Sequence, residues 1–72
     1  MRESILTTRE TEVVGLMIEG LSSRLIARKL HISHETVRVH RRRIFRKAQV
    51  NSSLELIRKA IQHRWIYEPI AA

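Results

Sequence analysis

The sequence contains no cysteine. That excludes a disulfide and a thiolate metal site, two devices that commonly reinforce a small core. No apolar run is long enough to cross a bilayer, and the opening MRESILTTRE is polar where a signal peptide has its apolar centre. No membrane partner and no secretory leader are therefore expected. Only two glycines and one proline punctuate the chain. Low-complexity stretches, internal repeats and strand-like alternation are all missing, so the chain reads as all-α. Acids are scarce: seven Asp and Glu stand against fourteen Lys and Arg.

With 72 residues, the chain is expected to form one domain. So short a chain buries only about 60% of its unfolded surface, which leaves stability to close helix packing or to oligomerisation. The net charge of +7 and the pI of about 11.4 favour a polyanionic partner, nucleic acid before an anionic membrane surface. The plain alternative is a basic domain with no nucleic-acid role. Absence of cysteine agrees with a reducing cytoplasm.

Four helices are predicted, over about 8–19, 23–30, 34–48 and 53–64. Thr7 with Glu10 three positions on has capping-box spacing, and Leu6 suits a hydrophobic staple. Val13, Val14, Leu16, Met17 and Ile18 form a wide apolar face on the first helix, which Gly20 ends in a left-handed position. Ser22 or Ser23 caps the second helix, with Ile26, Ala27 and Leu30 inward. His31 and Ile32 make a tight turn, and Ser33 caps the third helix. A short helix, a short turn and a capped basic helix form a helix-turn-helix. Ser52 and Glu55 repeat the capping-box spacing before the fourth helix, whose expected apolar stripe is Leu54, Ile57, Ala60, Ile61 and Trp65. Pro69 closes the pattern. The expected organisation is a lead-in over 1–6, a domain over 7–66 and a tail over 67–72.

The third helix carries Arg38, Arg41, Arg42, Arg43, Arg46 and Lys47 against the single acid Glu35. At about 100° per residue, Val37, Ile44 and Ala48 share one side with His40 beside them. Glu35, Arg38, Val39, Arg42 and Arg46 fall opposite. Thr36 and Arg43 lie on one flank, Arg41 and Phe45 on the other. Such a helix is built to be held from behind and offered to something negative. The B-DNA major groove admits one α-helix. Arg38 and Arg42, one turn apart, can reach guanine O6 and N7, and Val39 a thymine methyl. Glu35 can accept from cytosine N4 or orient an arginine, the latter preferred. Ser22, Ser23, Arg24, Ser33, Thr36, Arg43, Arg46 and Lys47 are the expected phosphate contacts. Arg41, at the core edge, is left without a role.

The run LTTRETEVVGLMIEGLSSRLIARKLHISHETVRVHRRRIFRK resembles the LuxR/GerE-type helix-turn-helix domain of bacterial transcription regulators. The matching elements are Leu6-Thr7, Arg9-Glu10, Glu12-Val13, Gly20-Leu21-Ser22, Ile26-Ala27, Leu30, Ile32-Ser33, Thr36-Val37, His40 and Ile44, within a likeness over about residues 6 to 61. The resemblance implies sequence-specific binding of double-stranded DNA in transcription regulation. In that family the positions matching Arg38, Val39 and Arg42 commonly face the bases. It also implies a homodimer through the fourth helix, with Ile57, Ile61 and Trp65 as candidates, RNA polymerase as a further partner, and a bacterial, cytoplasmic location on the nucleoid when bound. Three positions depart from the family pattern. Leu25 stands where an acid is usual, so the second helix lacks a capping-box partner. Ala48-Gln49 replaces leucine and glycine, and Ser53 replaces a common arginine.

The four histidines, His31, His34, His40 and His63, have no metal-ligand spacing, and His40 reads as a packed, hydrogen-bonded residue. No nucleophile–base set and no glycine-rich phosphate loop is present, so no enzyme, cofactor or metal is expected. The 72 residues include no receiver domain and no small-molecule pocket domain. Two rival readings are a sigma-factor region-four-like domain and a protein-interaction module that has lost DNA binding. The sequence SSRLIARKL followed by TVRVH favours the first-named family over the former, and the arginines disfavour the latter.

Overall fold

The computed structural model describes residues 4–65, and among these residues the secondary structure is helical. The helices are α1 (Thr8–Ile18), α2 (Ser23–Leu30), α3 (His34–Ala48) and α4 (Ser53–Gln62). The expected tail over 67–72 lies outside the described residues.

Each helix starts on a hydroxyl. Thr7, Ser22, Ser33 and Ser52 each accept the backbone N–H three residues ahead, from Glu10, Leu25, Thr36 and Glu55. Only α1 closes the reciprocal box: the Thr7 N–H donates to Glu10 Oε1 at 2.9 Å. At α4 the acid reaches one residue further back, and Asn51 N–H donates to Glu55 Oε1 at 2.9 Å. Leu25, in the matching place on α2, has no carboxylate to offer and is 49% exposed.

The helices also end alike. Gly20, His31, Gln49 and Arg64 all have positive φ, and only the first is glycine. After each, an apolar residue donates its N–H five positions back: Leu21 to Leu16, Ile32 to Ala27, Val50 to Phe45 and Trp65 to Ala60. This is the Schellman arrangement, with the apolar residue folding against the core. Leu21, Ile32 and Trp65 pack on that core, and Val50 is part of it. Gln49 thus does in the left-handed region what the family's usual glycine would do, at a conformational cost.

Val13, Val14, Ile26, Val37, Ile44 and Leu56 are fully buried at the centre. The expected inner faces of α1, α2 and α3 hold. That of α4 is corrected: Leu56 and Ala60 are its buried positions, whereas Leu54 is 66% exposed. Apolar residues at 54, 56, 57, 60 and 61 cover too wide an arc for periodicity to choose its centre. Packing chooses it: α4 lies against α1 and α3, and Leu56 is fully buried in the shared core. α4 also ends at Gln62, two residues before the expected limit.

Candidate nucleic-acid interface

The helix-turn-helix unit consists of α2 and α3, which pack more extensively on each other than any other pair. Ala27 on α2 is small and buried, which permits that approach. Val37, Ile44 and Ala48 lock the rear of α3 into the core. Three further ties hold its second half. Lys47 Nζ lies 2.7 Å from Glu10 Oε1, joining α3 to the start of α1. Arg41 donates to Ser53 Oγ at 3.2 Å, joining it to the start of α4. Lys59 of α4 donates to the Ala48 carbonyl at 2.7 Å, where the helix leaves its own acceptors unpaired.

With its back fixed, α3 turns Glu35, Arg38 and Arg42 outward, exposed, with Val39 half-buried between them. Arg38 and Glu35 form a loose surface pair at 3.8 Å, worth little in stability but able to bias the arginine's direction. Thr36, Arg43 and Arg46 are exposed as well. Ser33 and Thr36 are joined hydroxyl to hydroxyl at 2.8 Å and form the cap of α3. Beside that cap, Ser22, Arg24, Leu25, Arg28 and His34 line an open cleft between the starts of α2 and α3. The α2 N-terminus and two guanidinium groups make its rim suited to an anion.

The geometry adds contacts for two basic residues. Arg41, without a role from its angle alone, lies with its guanidinium 5.8 Å above the Phe45 ring and a hydrogen bond to Ser53. It is a strut between α3 and α4. Lys47, expected at a phosphate, also pairs with a buried acid. Glu10 is 3% exposed. Burial would raise its carboxyl, but the Lys47 ammonium and the N–H and hydroxyl of Thr7 outweigh burial and hold it below its ordinary value. A phosphate contact by Lys47 would have to compete with that pair. The capping-box spacing reveals Glu10, but its partner is 37 positions away and has no local signal.

His40 corrects a detail. It is half-buried one turn from Val37 and Ile44, but its Nδ1 is buried without the expected hydrogen-bond partner. Among the described residues no group of His, Cys, Asp and Glu could hold a metal ion. No described helix is long and apolar enough to cross a membrane.

A family model described as bacterial regulatory proteins, luxR family, matches residues 4–60. The monoamine regulon transcriptional regulator of Klebsiella aerogenes is 50% identical over 54 residues, which are 75% of this chain and 24% of that protein. The transcriptional regulatory protein DegU of Brevibacillus brevis is 40% identical over 62 residues, 86% of this chain and 26% of that protein. The crystal structure of the response regulator ChrA, of a heme-sensing two-component system, superimposes with a TM-score of 0.83 at 36% identity. That match covers 92% of this chain and 33% of the other. The chain spans about a quarter of the length of the two curated relatives.

Proposed function

The chain belongs to the luxR family of bacterial regulatory proteins, and from that premise we propose that it binds specific double-stranded DNA sites with α3 in the major groove. The observation that carries this is the division of α3: a rear seam held by the core and three polar ties, and an outward face of Arg38, Val39 and Arg42. A helix so fixed presents its donors with little freedom left to lose on binding. Arg38 and Arg42 read base edges, and Val39 offers an apolar contact. Phosphates are held by Arg43 and Arg46, by Ser33 and Thr36 at the α3 cap, and by Ser22, Ser23 and Arg24 at the start of α2. Lys47 anchors the end of α3 rather than facing the backbone.

One such unit reads few base pairs, so two copies on two half-sites supply specificity. The α4 face of Ile57 and Ile61, with Trp65 just beyond the helix end, is half-buried against the core, continues outward into the exposed Leu54 and is the contact between them. The work is transcription regulation in the bacterial cytoplasm, in concert with RNA polymerase.

Selection of bound duplexes from a random pool, repeated at two salt concentrations, tests this. An enriched motif with two related halves and affinity that falls with salt are expected. No enriched motif and no salt slope would overturn the reading.

A further inference from the structure

His40 is a polar ring divided between two environments. Its Nδ1 is buried with no partner. Its Nε2 makes no hydrogen bond among the described residues and is not buried as Nδ1 is, and the residue as a whole is half-buried. On α3, at about 100° per residue, His40 lies about 40° from the buried Ile44 and within about 60° of Thr36 and Arg43. The ring therefore leaves the core on the flank where Thr36 and Arg43 are exposed.

We propose that His40 is a further phosphate ligand, donating its Nε2–H to a DNA phosphate between those of Thr36 and Arg43. The inference rests on the DNA-binding reading above. An uncharged imidazole carries one N–H and one bare nitrogen. Either arrangement leaves Nδ1 unpartnered in the core, so the core does not separate them. Only the form with the proton on Nε2 offers a donor to an anion; the other aims a lone pair at it. Bound phosphate thus selects one tautomer, and the buried face keeps the ring from turning away. The fixed ring also sets how deeply α3 enters the groove, because its donor is carried on the seam that holds the helix. An uncharged donor releases no counterion, which separates His40 from Arg43 on the same flank.

The test uses the whole chain at about pH 8, with a duplex recovered by the selection. His40→Leu is expected to bind about tenfold more weakly on all sequences, with the salt slope unchanged. His40→Gln, whose amide reaches the place of Nε2, restores most of the loss, whereas His40→Asn, which reaches only the place of Nδ1, does not. Nitrogen NMR of the wild-type imidazole shows the proton on Nε2 in the complex. Thermal unfolding of each variant accompanies the binding; if the leucine variant fails to fold, the Gln and Asn pair and the wild-type spectrum decide. A folded leucine variant with wild-type affinity, rescue by Asn and not Gln, a slope reduced by about one, or a proton found on Nδ1 in the complex would each overturn the proposal. Wild-type protein that binds no duplex would instead overturn the parent reading.

Discussion

Lys47 Nζ and Glu10 Oε1 are 2.7 Å apart, and through them the last turn of α3 is fastened to the capping box of α1. Glu10 is nearly inaccessible and Lys47 partly exposed, so the pair is anchored from the α1 side. The same carboxylate oxygen takes the Thr7 N–H at 2.9 Å, and one charge serves both a helix start and a tertiary tie.

Acid should loosen the fold through this site. A carboxyl whose folded pKa is depressed contributes stability that is present above its unfolded pKa and is lost as pH falls through the folded one. Urea titrations across about pH 6 to 2 are expected to show stability falling below the ordinary carboxylate range of about 4.3. Glu10→Gln should flatten that fall and cost about 1–3 kcal/mol at neutral pH. Lys47→Met, which keeps the stem and strands the buried acid, should also destabilise. An acid limb unchanged in Glu10→Gln would assign the effect to other groups.

Left-handed helix ends leave room for stabilisation. Gln49 has φ 57° and His31 has φ 58°. Glycine at either position relieves the side-chain clash of that region, so Gln49→Gly and His31→Gly should each raise unfolding free energy by about 0.5–1 kcal/mol. Gly20, at φ 91°, predicts the reverse, a loss of about 1 kcal/mol for Gly20→Ala. Denaturant midpoints at constant m measure all three.

The base and phosphate roles proposed on α3 are separable by salt and by sequence. Arg42→Ala should cost about 1–3 kcal/mol at the selected site and relax preference at one position. Arg43→Ala should weaken all duplexes alike and reduce the salt slope by about one. Equal losses on specific and random duplexes for both variants would dissolve the distinction.

Two leucines, two positions apart on α4, should behave as opposites. Leu56 is fully buried, and Leu56→Ala should lose about 2–5 kcal/mol of stability. Leu54 is 66% exposed, so Leu54→Glu should leave stability within about 0.5 kcal/mol while weakening self-association on paired half-sites. Sedimentation with and without duplex reads the second effect; unchanged association would remove Leu54 from the proposed dimer contact.

Much of this domain was legible in its sequence because the signals are local. A hydroxyl followed three residues later by an N–H to be capped, a glycine at a helix end and the period of an apolar stripe all act within one or two turns. They sufficed for the four helix starts, for the core seam of Val37, Ile44 and Ala48, and for the outward arc of Arg38, Val39 and Arg42. What only the tertiary structure decided joins residues far apart in the chain. It turned α4 so that Leu56 rather than Leu54 fills the core, set Arg41 against Ser53, paired Lys47 with Glu10 and left His40 Nδ1 without a partner. A helical wheel has the angle of a side chain but not the identity of what stands opposite. For a long basic side chain, that neighbour determines whether its charge is held within the protein or left free for a partner.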